Sequence, residues 1–187
     1  MADLERPLTE TQIHYVVGHV LKGLNYLHEK FNIAHRDIKA ANLLISENIY
    51  LIKLANFELS AQNTKENGKE KDYLFVNSPQ WLAPEIARLG SGILKENEYK
   101  NTKSDIWSLG ITLIEMAERF PPLVDLDHDR VIEEISNATR PPGLKEHKKW
   151  SPDFVHFCNI CFYKRLDHRP SANYLLHVIF ILFFFHD

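Results

Sequence analysis

His35-Arg36-Asp37-Ile38-Lys39-Ala40-Ala41-Asn42 is the stretch on which the reading of this 187-residue chain turns. Eight residues collect a carboxylate, two cations, an imidazole and an amide, a density of chemistry-bearing side chains that marks a functional loop rather than a plain connection. Upstream, Ile13, Val16, Val17, Val20, Leu21, Leu24 and Leu27 recur at helical spacing, which puts one apolar stripe on a helix ending near His28. Thr9, with Gln12 three residues on, reads as a capping box. Gly18 and Gly23 weaken the helix. The stripe reads as core packing, and His14, His19 and His28 as surface or capping residues. Downstream, Leu43 to Ile45 and Tyr50 to Leu54 read as strands, with Ser46-Glu47-Asn48 as the turn between them.

Composition bounds the rest. With 44% apolar residues the chain can bury one sizeable core, so one globular domain is expected. A formal charge of −3 gives no reason to expect nucleic acid or an anionic membrane as partner. Two cysteines, and no amino-terminal apolar run behind a basic segment, point to a reduced, cytoplasmic setting. The long apolar run, Val178 to Phe185, falls far short of the ~20 residues that span a bilayer as a helix.

Further along, residues 59 to 76 read as a polar, charge-rich loop, and a linker follows with Gly90 and Gly92. Thr102 reads as the cap of a helix with Asp105 at its third position. Ile106, Leu109, Leu113, Ile114 and Ala117 line one side and Trp107 and Ile111 the other; a helix apolar nearly all round belongs in the middle of a domain. Pro121-Pro122 ends it. Val131, Ile132 and Ile135 mark a short helix after Asp127, broken by Arg140-Pro141-Pro142-Gly143. Ser151-Pro152 is a cap with proline at the first helical position, and Phe154, Val155, Phe157, Cys158, Cys161 and Phe162 give that helix its buried face. His156, Cys158, Cys161 and His168 raise a zinc reading, but a lone C-x-x-C without a second pair is ordinarily core. Arg169-Pro170 precedes another cap, Ser171.

The opening stretch resembles the catalytic loop of eukaryotic protein kinases, H-R-D-x-K-x-x-N, at every fixed position. The family's order continues through Asn56-Phe57-Glu58, Ala83-Pro84-Glu85 and Ser104-Asp105-Ile106-Trp107-Ser108-Leu109-Gly110. The resemblance runs from about Thr9 to about Phe180 and is closest to the STE20-like germinal-centre kinases, through Leu59-Ser60-Ala61-Gln62, Pro121-Pro122-Leu123 and Lys149-Trp150-Ser151. The kinase heads of class III myosins look similar too. It implies a mainly α fold: a kinase C-lobe helical bundle over residues 9–180 with a small β-hairpin at the cleft, flanked by a tail at 1–8 and an apolar tail at 181–187. An N-lobe is not expected, since the seven glycines make no G-x-G-x-x-G and no strand Lys with a helix Glu precedes Thr9. A whole kinase domain would need roughly another hundred residues in front. After Leu175-Leu176-His177, where the family has Pro-Phe, the run Val178 to Phe185 could pack onto the last helix or stand as an aggregation hazard. Two unusual ends are what a truncated or mis-spliced product would have.

What the resemblance implies is phosphoryl transfer from ATP, with Mg2+, to a serine or threonine of a protein substrate in intracellular signalling. Asp37 would accept the hydroxyl proton, Lys39 neutralise developing phosphate charge, and Asn42 hold a magnesium ion; Leu44 would lie beneath the adenine ring. Asn56 stands where the family has a chelating aspartate, and its amide oxygen can touch a hard cation but brings no charge. At ~4 Å and an effective dielectric of ~20 the lost attraction is on the order of 4 kcal/mol, roughly a thousandfold in rate. Glu58 replaces a glycine able to adopt positive φ. Residues 59 to 76 would be the activation segment, with Leu74 where the regulatory hydroxyl would be and Arg36 left without an obvious phosphate; Ser60, Thr64 and Tyr73 are alternative modification sites. Ser78 and Trp81 would belong to the substrate-facing segment. His35, Arg36, Phe57, Glu85, Asp105 and Arg169 would be structural: Arg169 pairing with Glu85 in the interior, and Asp105 bonding the catalytic-loop backbone, although capping alone explains Asp105 about as well. The expected function is a serine/threonine kinase family member, weak or inactive on its own. The alternatives are slow turnover and a non-catalytic, pseudokinase-like interaction module with protein partners.

Overall fold

The computed structural model describes residues 6–46, 51–62, 78–88 and 101–184, without the side chains of 61, 62 and 179–184. The expected turn at Glu47 and Asn48, Tyr50, most of the activation segment including Thr64, Tyr73 and Leu74, and Gly90 and Gly92 lie outside the described residues.

Helix α1 spans Glu10–Phe31. The Thr9 hydroxyl accepts from the Gln12 N–H, and the Gln12 side chain accepts from the Thr9 N–H at 2.9 Å, so the capping box forms. The helix passes His28 and closes at Asn32, which takes the left-handed φ of 51° that asparagine tolerates. Ile13, Val16, Val17, Val20, Leu21 and Leu24 are buried. Gly23 has a packing reason: a Cβ there would sit 3.1 Å from the Leu54 side chain, so its absence lets a strand approach the helix.

That strand, β3 (Ile52–Leu54), pairs antiparallel with β2 (Leu43–Ile45) in the register Leu43 to Leu54. This is the expected hairpin, begun at Ile52 rather than Tyr50. A second, unexpected pair joins β1 (Ile33–Ala34) to β4 (Ala61–Gln62), also antiparallel, and brackets the loop between them. After a 3-10 turn at Pro79–Trp81, a short α2 spans Pro84–Ala87.

Helix α3 (Lys103–Glu118) is the central element. Ile106, Leu109, Leu113, Met116 and Ala117 enter a core shared with α1 and with Phe154, Phe157, Cys158 and Cys161 of α5 (Pro152–Cys161). Trp107, Ile111 and Ile114 enter a second cluster with Trp81, Ala83 and Phe162. Two cores on opposite sides explain the nearly all-round apolar sequence, with Ile114 on the Trp107 side and not with Leu113. Gly110 is the point of closest approach, since a Cβ there would meet the Phe162 ring at 2.7 Å. The expected Thr102 cap does not form; Asn101 Oδ1 accepts from the Lys103 N–H at 2.8 Å instead.

Helix α4 (His128–Asn137) is capped by Asp127 and lays Val131 and Ile135 against Ala87. The Ser151 hydroxyl caps α5, and Glu10 accepts both from the Ser151 N–H at 3.0 Å and from its hydroxyl, which ties α1 to α5. Cys158 and Cys161 are core residues; burial pushes the Cys161 thiol up to about 12. Helix α6 (Ala172–Phe184), capped by Ser171, continues without a break into the apolar tail. No described helix is long and apolar enough to cross a membrane.

Candidate functional site

Helix α3 carries a polar stripe between its two apolar sides. Asp105, Ser108, Thr112 and Glu115 recur at helical spacing and so face the same way. The Asp105 carboxylate, fully buried, accepts from the His35 and Arg36 N–H groups, each at 2.8 Å, and from His28 Nε2 at 2.8 Å. The Thr112 hydroxyl reaches the Ile38 carbonyl at 3.2 Å. Glu115 Oε2 accepts from the Ala40 N–H at 3.0 Å and from the Trp81 indole N–H at 3.1 Å, and Ser108 donates to the Trp81 carbonyl at 2.8 Å. The loop is therefore fastened to α3 at residues 35, 36, 38 and 40.

Asp105 thus bonds the loop backbone, and among the described residues its carboxylate caps no helix. His28, expected at the surface, is instead its third partner, with a side chain only 6% exposed. The reason is topological: α1 overshoots His28 by most of a turn, so His28 faces inward onto α3 rather than ending the helix. Glu115 escaped the sequence reading altogether, although the Asp105, Ser108, Thr112, Glu115 spacing was there to be seen.

Held this way, the loop gathers its polar groups around Asp37, which is 8% exposed. Asp37 Oδ1 lies 2.9 Å from Lys39 Nζ, and Lys39 also donates to the Ser78 hydroxyl at 2.6 Å. Asp37 Oδ2 accepts from Asn42 Nδ2 at 2.6 Å and from Asn56 Nδ2 at 3.2 Å. Asn42 Nδ2 donates to the Asp37 carbonyl as well, at 2.7 Å. Asp37, Lys39, Asn42, Asn56 and Ser78 are brought into one site, and Trp81 stands behind it in the same 3-10 turn as Pro79.

His35 orients the loop from below. Its Nε2–H donates to the Ala55 carbonyl at 3.1 Å and its Nδ1 accepts from the Asp37 N–H at 3.3 Å, an arrangement that needs the neutral ring. Burial holds the His35 pKa below its ordinary value, with the Asp105 and Asp37 carboxylates opposing. The Phe57 ring packs on His35 at 4.8 Å between centroids. Ser60 is a structural hydroxyl and not a free loop residue: it donates to the His35 carbonyl at 3.2 Å.

Glu58, expected to occupy a left-handed hinge, does not; the left-handed residues here are Arg36, with φ 69°, and Asn56, with φ 63°. Asparagine is among the side chains best suited to that region, so the backbone bend survives at Asn56. Leu44 is 57% exposed on the hairpin beside Ile45 and Leu51. Away from the site, Arg169 donates to both carboxylate oxygens of Glu85 at 2.7 and 3.0 Å, and to the Tyr163 and Lys103 carbonyls. Its guanidinium also lies 5.1 Å over the Trp107 ring.

The donor set does not fit a divalent cation of the magnesium kind. Such ions are held through one or two carboxylates, whereas Asn42 and Asn56 offer neutral amide oxygens and Asp37 is already bonded by Lys39 and by both amides. No group of three His, Cys, Asp or Glu side chains that could hold a metal occurs among the described residues.

Residues 2–181 match the protein kinase domain family. The chain is 42% identical over 176 residues to mitogen-activated protein kinase kinase kinase kinase 3 of Homo sapiens, covering 94% of this chain and 19% of that protein. It is 45% identical over 172 residues to serine/threonine-protein kinase pakG of Dictyostelium discoideum, covering 92% and 14%. It is 42% identical over 181 residues to serine/threonine-protein kinase 10 of Homo sapiens, covering 97% and 18%. The chain thus spans less than a fifth of the length of each of these relatives.

Proposed function

We propose, from the premise that this chain belongs to the protein kinase family among its STE20-like members, that residues 35–42 with Ser78 form the hydroxyl-acceptor half of a serine/threonine kinase site whose metal-holding half is disabled. Asp37 is the base for a serine or threonine hydroxyl of a protein substrate, and Lys39, between Asp37 and Ser78, is the cation that faces the transferred group. Leu44 offers an exposed apolar surface for the base of ATP. Residues 9–180 form the lobe that carries these groups.

The observation that carries the proposal is the bond from Asn56 Nδ2 to Asp37 Oδ2. An acidic chelator at position 56 would repel Asp37 and require a cation between them; the amide removes that need by bonding Asp37 directly. Positioning and electrostatics supply nearly all of the catalysis in phosphoryl transfer. A loss on the order of 4 kcal/mol of charge stabilisation therefore slows transfer roughly a thousandfold, which leaves these 187 residues weak or inactive as an enzyme, and we read the protein as a cytoplasmic module that engages protein partners.

The test is incorporation of labelled phosphate from ATP into serine and threonine peptides. Roughly a thousandth of an active enzyme's incorporation, or none, is expected, with or without Mg2+. Incorporation at an active enzyme's rate that disappears in Asp37→Ala would overturn the disabled half of the proposal while leaving the acceptor half standing. A thermal-shift titration with ATP separates binding from turnover, because a specific ligand raises the melting point by mass action.

A further inference from the structure

The loop that bears Asp37 and the turn that bears Ser78 meet directly through one bond, from Lys39 to the Ser78 hydroxyl. A second link runs behind it through α3. One oxygen, Glu115 Oε2, accepts from the backbone N–H of Ala40, next to Lys39, and from the indole N–H of Trp81 in the turn. The same helix holds both segments at a second point, the loop through Thr112 and the carbonyl of Ile38, two residues before Ala40, and the turn through Ser108 and the Trp81 carbonyl. We propose that Glu115 is the positioning residue that keeps the Asp37 loop and the Ser78 turn in register, by sharing one carboxylate oxygen between Ala40 and Trp81.

The chemistry suits that task. Hydrogen bonds to an ionised acceptor are shorter and about twice as strong as neutral ones. A single oxygen with two donors also couples them, because strengthening one bond weakens the other. Glu115 is half-buried, and desolvation draws its pKa upward against the Ala40 and Trp81 bonds and the charge of Lys39. The charged group facing it is Lys39, which is itself committed to Asp37 and Ser78. A carboxylate placed where burial opposes it and two donors hold it is a costly way to fill space. Leu or Met would serve for packing alone.

The proposal rests on reading Asp37 and Ser78 as two parts of one site, yet its test needs no phosphate transfer. The three tryptophans give three indole N–H resonances in a proton–nitrogen correlation spectrum of the whole 187-residue chain. Trp81→Phe assigns the Trp81 signal and removes one donor. Trp81 and Ala40 are joined here through Glu115, so the Ala40 amide is expected to move downfield in Trp81→Phe as the oxygen becomes its alone. In Glu115→Ala, the Ala40 amide and the Trp81 indole should both move upfield and exchange with solvent roughly tenfold faster or more. Glu115→Gln, which keeps an acceptor oxygen, should recover most of that protection. The Trp107 and Trp150 indoles, which Glu115 does not touch, report whether the fold persists. An Ala40 amide indifferent to Trp81→Phe overturns the proposal, as does a Glu115→Ala spectrum in which Trp107 and Trp150 shift as far as Trp81. If peptides receive no phosphate and bind nowhere near Ser78, the site reading fails while the Ala40 and Trp81 signals still decide the role of Glu115.

Discussion

Asn56 Nδ2 stands 3.2 Å from Asp37 Oδ2 and donates to it, so the residue standing where the resemblance puts a chelating aspartate acts here as a hydrogen-bond donor to Asp37. With Lys39 on Oδ1 and Asn42 on Oδ2, the Asp37 carboxylate is satisfied by its own chain. On the proposed reading the site is assembled and at the same time electrostatically closed.

The buried pair Arg169–Glu85 is a stability element far from that site. Arg169→Met strands the buried Glu85 carboxylate without its cation, leaves the Tyr163 and Lys103 carbonyls without their donor, and is expected to lower unfolding free energy by about 3–5 kcal/mol in urea. The double variant Arg169→Met with Glu85→Gln should recover part of that loss, because no unpaired charge remains. A double variant less stable than Arg169→Met would contradict this account.

Asp105→Asn keeps size and removes one acceptor. Two backbone donors and His28 then compete for a single oxygen, and a loss of about 2–4 kcal/mol is expected. Amide exchange should show His35 and Arg36 losing protection before the core of α3 does. Uniform loss of protection would argue that Asp105 supports the whole helix and not the loop.

Those two contacts mark how far the sequence could be read. The Arg169–Glu85 pair and the Asp105 bonds to the loop were legible through motif order, since both residues belong to fixed patterns. The Thr9–Gln12 capping box, the Ser151 and Ser171 caps and the apolar stripes were legible because they rest on spacing within one helix, whereas the cap read at Thr102 falls to Asn101. His28 was not, because nothing local says that α1 overshoots it and turns it toward a residue 77 positions away. The β1–β4 pair was hidden by its two-residue strands, which have no periodicity to detect. Glu115 was missed for a different reason: the apolar residues of α3 were read for their two cores, and the polar stripe between them was passed over.

Glycines test the packing of α3. In Gly110→Ala the new methyl would meet Phe162 at 2.7 Å and Cys161 at 2.9 Å, both in the core, and about 1–3 kcal/mol of stability should be lost. Gly18→Ala meets nothing within 4 Å and should gain up to about 1 kcal/mol from helix propensity. Equal effects at the two positions, read by thermal melts, would mean that α3 and α5 are not this close.

His35 gives stability a pH dependence. Its folded pKa lies below its ordinary 6.5, so in the window beneath 6.5 the unfolded chain binds more protons than the folded one. Stability therefore rises with pH through that window and falls as pH drops below 6.5. His35→Gln, which cannot take up the proton, should show a shallower acid-side slope of unfolding free energy against pH. An unchanged slope would place the titration elsewhere.

The most direct test of the closed site is a Mn2+ titration followed by paramagnetic broadening of the Asn42 side-chain amide, in the native chain and in Asn56→Asp. The account predicts no site-specific broadening in the native chain. In Asn56→Asp it predicts strong broadening, because a second carboxylate beside Asp37 then needs a cation. Saturable broadening of Asn42 in the native chain at the same Mn2+ concentration would contradict it.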